Sequence, residues 1–160
     1  AQWLATAGRQ QLNLDHLGLV SVEWLFADGT IEVLGAFGQA DSQPLRSLKA
    51  QKTIPKLFEL SAEPIVQQSL ENERWPGMFR IDALVRTPTV NLANVVVGSG
   101  GALGWLVAAT FDQNAVMTGL IGQTAQIRVA DPNEALSWRA LNQQVKGVMD
   151  PENLFMSPPP

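Results

Sequence analysis

The sequence predicts an α+β fold, an antiparallel or mixed sheet flanked by helices, and three observations predict it. Residues 19 to 26, Leu-Val-Ser-Val-Glu-Trp-Leu-Phe, are rich in β-branched and aromatic types. Ala27-Asp-Gly-Thr30 then supplies a turn before Ile31-Glu-Val-Leu34, the pattern of a β-hairpin. In residues 41 to 75 the apolar positions Leu45, Leu48, Ile54, Leu57, Phe58, Ile65, Val66 and Leu70 fall at helix-like spacings, punctuated by Pro44, Pro55 and Pro64. Residues 131 to 149 form the best helix pattern in the chain.

The remaining elements follow in order. The middle region contains two or three short helices, a Pro-bounded excursion from the sheet, and Trp75-Pro-Gly77 ends it. Residues 79 to 85 are compatible with strand or helix, because so short a run has no decisive period. Residues 91 to 96 read as a short helix, 104 to 111 as a buried strand and 124 to 130 as another short strand. Asp131 then stands as N-cap with Pro132 at the first helical position and Glu134 at the third, where a carboxylate suits the positive helix end. Trp138, Leu141, Val145, Val148 and Met149 share one face of that helix, which Asp150-Pro151 terminates because proline cannot continue it. The closing Ser157-Pro-Pro-Pro160 reads as a frayed tail.

Composition bounds the function classes. At 160 residues the chain is read as a single domain, 1 to 160, able to bury roughly two thirds of its unfolded surface. It is 46% hydrophobic and only 16% charged, with a mean hydropathy of +0.03, so an apolar surface facing a protein partner or a missing domain is expected. A net charge of −4 with scattered Lys and Arg argues against nucleic acid. Without Cys there are no disulfides, thiolate metal sites or Cys nucleophiles, and the cytoplasm is the default location. No run approaches the roughly 18 apolar residues of a membrane span. Residue 1 is Ala rather than Met, which implies processing or excision from a longer chain.

The most informative stretch runs from Asn91 to Phe111, where an apolar element enters Gly98-Ser-Gly-Gly101 and leaves through Ala102-Leu-Gly104 into another apolar element. Gly98, Gly100 and Gly101 allow positive φ and close approach of a ligand to the backbone. Successive amides in such a loop attract a diphosphate or another anion, so a dinucleotide is the natural guest. A tight turn that binds nothing has the same sequence.

Four segments together resemble the flavin-binding domain of the FAD-linked oxidases of the para-cresol methylhydroxylase and vanillyl-alcohol oxidase superfamily, which includes glycolate oxidase and D-lactate dehydrogenase subunits. Ala5-Thr-Ala-Gly8 with His16-Leu-Gly18 is similar to the loop beside the flavin. Residues 22 to 33 are similar to the following strand, Asp-Gly turn and strand. Arg80-Ile-Asp-Ala-Leu84 and residues 91 to 111 resemble the passage ending in G-S-E-G-T-L-G. Lys146-Gly-Val-Met-Asp-Pro-Glu-Asn-Leu-Phe155 resembles the C-terminal signature.

The resemblance implies the second subdomain of such a domain over residues 1 to 112, followed by a C-terminal strand and helix over 113 to 160. It implies FAD as cofactor, held by Ala5, Thr6, Gly8, His16, Gly98, Ser99, Gly100, Gly101, Ala102 and Leu103. Two side chains depart from the pattern: the family's Glu is Gly100 and its Thr is Ala102. The first subdomain, with its own diphosphate loop, and the substrate domain have no counterpart in these 160 residues.

Other candidates are weaker. His16 is the chain's one imidazole, near the flavin if the resemblance holds and otherwise a surface-loop residue. Asp28 reads as a turn former, and Arg80 with Asp82 as an exposed local ion pair. Ser99 offers a hydroxyl to a phosphate oxygen but lacks the G-x-S-x-G frame of a nucleophile. Trp3, Trp24, Trp75, Trp105 and Trp138 read mainly as core or interface. No catalytic residue and no metal ligand is assigned. Three functions stay open: the FAD-binding part of an oxidoreductase acting on a small 2-hydroxy acid, a flavin-less scaffold or subunit of a larger assembly, and an unrelated small-ligand-binding sensory domain.

Overall fold

The structure, a computed structural model, describes residues 18–38, 44–72, 75–85, 89–112 and 132–156. Strand β1 (Leu19–Leu25) lies between β2 (Ile31–Leu34) and β5 (Trp105–Phe111), antiparallel to both. A second, two-stranded ladder joins β3 (Ala36–Phe37) to β4 (Val90–Asn91). Helices α1 (Leu48–Ser61), α2 (Pro64–Gln68) and α3 (Pro132–Met149), with 3₁₀ turns at Ile81–Leu84 and Leu92–Val96, complete an α+β architecture.

The β1–β2 hairpin forms where the residue types dictate. Asp28 Oδ1 accepts the Thr30 amide at 3.0 Å, Gly29 takes φ 81°, and the Phe26 amide donates to the Thr30 carbonyl at 2.9 Å. Period-2 alternation then puts Val22, Trp24, Glu32 and Leu34 on the inner face. On the outer face Ile31, Leu25 and Trp105 form one row across the three strands. Ser47 caps α1 by accepting the Ala50 amide at 3.1 Å, and Pro55 is tolerated inside the helix on its exposed side.

One core unites these elements. Trp24, Phe26 and Leu34 from the hairpin, Ile54 and Leu57 from α1, Phe79, Ile81 and Leu92 from the connecting turns, and Trp138, Leu141, Val145 and Met149 from α3 are all buried in it. Trp75 meets Trp138 edge to face at 4.9 Å, and its indole N–H donates to the Phe79 carbonyl at 2.8 Å.

The structure answers several open readings. Residues 79 to 85 contribute a 3₁₀ turn, and the middle region holds two helices, one of 14 residues and one of five. Two expectations are corrected. The strand from Trp105 is not buried: it lies beside β1 at the end of the sheet order, with Trp105 64% and Val107 44% exposed. Its run of apolar residues carries no alternation from which its position in the sheet could be read. Arg80 and Asp82 are not an exposed pair, because the 3₁₀ turn folds them inward, where Arg80 Nε and Nη2 donate to the two Asp82 oxygens at 2.9 and 2.8 Å. The strand expected at 124 to 130 and the N-cap Asp131 lie outside the described residues, as does the 5 to 8 loop.

Candidate functional site

The glycine loop is built from its two flanks inward. On the entering side Asn91 fixes the 3₁₀ turn: its Oδ1 accepts the Ala93 amide at 2.9 Å while its Nδ2 donates to the Leu19 carbonyl at 2.7 Å. The Leu92 amide donates to the Gly35 carbonyl at 2.8 Å, so the turn is tied to the hairpin as well. On the leaving side Gly104, at φ 157°, packs against Trp24. A Cβ there would stand 2.4 Å from the indole nitrogen, so the space at this position suits glycine.

Between those anchors Gly98, Gly100 and Gly101 take φ of 70°, 64° and 79°. The Ser99 amide donates to the Val96 carbonyl at 3.3 Å and the Ala102 amide to the Ser99 carbonyl at 3.1 Å. The amides of Gly100 and Gly101 make no backbone–backbone hydrogen bond among the described residues. These two glycines form the half-buried tip, and a Cβ on Gly101 would meet open space. The tip therefore presents main chain rather than side chains, with open space within 4 Å of a Cβ placed on Gly101.

Of the expected site residues, Gly98, Ser99, Gly100, Gly101, Ala102 and Leu103 are gathered in this loop, but only Gly100 and Gly101 reach its surface. Ser99, Ala102 and Leu103 are buried, and the Ser99 hydroxyl has no hydrogen-bond partner. A second buried donor without a partner, Trp24 Nε1, lies against Gly104 at the other end of the loop. Ala5, Thr6, Gly8 and His16 lie outside the described residues.

Residue types alone did not reveal how the loop is backed. Lys146 on α3 donates from Nζ to the Ala102 carbonyl at 2.7 Å, to the Phe155 carbonyl at 3.0 Å and to Asp150 Oδ2. Asp150 also accepts the amides of Leu154 and Phe155, each at 2.9 Å. Burial raises the Asp150 pKa, but the hydrogen bond from Lys146, the two amides and the lysine charge outweigh it and hold the carboxyl below its ordinary range. The Lys/Asp spacing of four was the available signal, though it gave no hint of Ala102.

No family model matches the chain, and no curated protein or solved structure matches it. The site is therefore characterised by its own chemistry. It offers backbone donors, no net charge and no nucleophile–base pair, and no cluster of His, Cys, Asp or Glu able to hold a metal occurs among the described residues. Among the described residues no helix is long and apolar enough to cross a membrane.

Proposed function

We propose that the chain is the FAD-binding part of a flavin-dependent oxidoreductase, cytoplasmic and acting on a small 2-hydroxy acid, with the glycine loop as an element that contacts the cofactor. The observation that carries this reading is the loop tip: Gly100 and Gly101 at φ 64° and 79°, with free space above Gly101. A flat ring system needs that kind of close main-chain approach, which any side chain at the tip would obstruct.

The residues present suit a flavin edge as well as a diphosphate. Amide donors suit the carbonyl oxygens of a flavin ring as they suit phosphate oxygens, while Lys146, which bonds the Ala102 carbonyl of the loop, has its charge offset by Asp150. Bound FAD would supply the hydride chemistry; this chain would supply position and exclude water. Ala5, Thr6, Gly8 and His16 are assigned to the same cofactor through the family resemblance, with Gly100 and Ala102 in place of its Glu and Thr.

A flavin-less scaffold or subunit is the second reading, and the outer face of the sheet favours it. Ile31, Trp105 and Val107 are exposed there, a suitable surface for a protein partner.

The two readings separate in a visible absorption spectrum of the purified protein before and after incubation with FAD and removal of the excess. A flavin band that stays with the protein and is lost in Gly101→Asp supports the cofactor site. A colourless protein that ignores FAD rejects it and leaves the scaffold or an unrelated small-ligand-binding domain.

A further inference from the structure

An ammonium group has three N–H donors, and at Lys146 each meets an acceptor: the Ala102 carbonyl, the Phe155 carbonyl and Asp150. The group is buried, its charge is matched by a buried carboxylate, and no donor remains for a ligand. Lys146 is therefore not a binding cation. It joins the glycine loop to the tail that follows α3.

Termination of α3 does not require that arrangement. The helix stops at Pro151, the Asp150 amide donates to the Lys146 carbonyl at 2.7 Å, and the tail folds back through the Leu154 and Phe155 amides onto the Asp150 carboxylate. The bond to Ala102 exceeds what a helix stop needs. Ala102 is also the residue whose amide closes the loop onto Ser99. Because a peptide unit is planar, holding the Ala102 carbonyl fixes the plane that carries the Leu103 amide and sets the direction of the chain into Gly104 and β5.

We propose that Lys146 is a positioning residue that holds the glycine loop in its ligand-ready shape from behind, and that this hold depends on the tail at 154 and 155 being folded onto Asp150. The ligand side of the proposal rests on the flavin reading above. The coupling between tail and loop does not.

The test is amide hydrogen exchange on the full chain and on Lys146→Met and Asp150→Asn, with FAD affinity measured alongside. The reporters are the hydrogen-bonded loop amides of Ser99 and Ala102, with the amides of β1 as control. Loss of a hydrogen bond to a charged group should speed exchange at Ser99 and Ala102 by about ten- to a hundredfold and leave β1 unchanged. FAD affinity should fall by about tenfold or more on the same grounds. Asp150→Asn keeps the lysine and the side-chain volume, so it gives the same reading should Lys146→Met fail to fold. Faster exchange at Leu154 and Phe155 with the loop unmoved would overturn the proposal. A uniform acceleration that includes β1 would also overturn it, because it reports general destabilisation. Should the unaltered protein bind no FAD, the flavin reading falls while the exchange pattern still decides the coupling.

Discussion

Glu32 on β2 and Ser47 at the start of α1 meet through a 2.7 Å hydrogen bond, from the serine amide to Glu32 Oε2. The Arg46 amide donates to the same oxygen at 3.0 Å. A carboxylate on the inner face of a strand thus satisfies main-chain donors at the entrance to a helix, where negative charge is also favoured by the helix dipole. Glu32 itself is only 5% exposed. Burial pushes its carboxyl up, yet the amides of Ser47, Arg46 and Val33 and the Ser47 hydroxyl outweigh that and leave it below its ordinary range.

The pH dependence follows in sign. Glu32 and Asp150 both have depressed pKa values in the folded protein, so each contributes stability that is full above the unfolded value and lost as pH falls through the folded one. Urea midpoints should be flat from about pH 7 down to about pH 5 and fall steadily below about pH 4. Glu32→Gln should cost about 1–3 kcal/mol at pH 7 and flatten the acid limb, since a neutral amide cannot titrate. An unchanged acid limb in that variant would remove Glu32 from the account.

Two glycines of one loop should respond to alanine in opposite ways. At Gly104 the new Cβ meets Trp24 Nε1 at 2.4 Å and the Leu25 carbonyl at 2.7 Å, and neither can move without disturbing the core. At Gly101 it meets nothing, so only the strain of φ 79° remains. Gly104→Ala should therefore cost several kcal/mol or prevent folding, and Gly101→Ala about 1 kcal/mol. Thermal melts of the two variants decide it, and equal losses would contradict the packing of Trp24 on Gly104.

How much of this was legible in the sequence depends on how local the determinant is. The hairpin is set by Asp28-Gly29 and by alternation over a few residues, and the helix stop at Pro151 by one residue, so both could be read directly. The apolar face of α3 could be read as well, because Trp138, Leu141, Val145 and Met149 repeat at the helical period and are all buried. Three other features depend on partners distant in the chain. Nothing in the local pattern says that Glu32 will meet residues 46 and 47, that Lys146 will reach Ala102, or that β5 will lie at the end of the sheet order. Arg80 and Asp82 fall between these cases: their spacing announced an ion pair, while its burial was decided by the core around it.

That burial makes the Arg80–Asp82 pair sensitive to loss of one partner. Removing the guanidinium leaves a carboxylate at 0% exposure without its bidentate donor. Arg80→Met should destabilise the protein by about 3–5 kcal/mol, more than Asp82→Asn, which retains polar atoms at the site. Chemical denaturation of both variants provides the comparison. A loss under about 1 kcal/mol for Arg80→Met would mean that the pair is hydrated in solution.

The outer face of the sheet gives a prediction that bears on the second functional reading. Trp105 pairs with Leu25, which pairs with Ile31, and the tryptophan is 64% exposed in a single chain. Truncating so exposed a side chain removes little buried area, so Trp105→Ser and Val107→Ser should each change monomer stability by about 0.5 kcal/mol or less. A larger loss, growing with protein concentration, would show that the face is covered in solution, because an interface adds its binding energy to apparent stability by mass action. Denaturation at two protein concentrations distinguishes these outcomes: concentration-independent midpoints mean a free face, and a midpoint that rises with concentration in the unaltered chain but not in Trp105→Ser makes Trp105 part of an interface between copies.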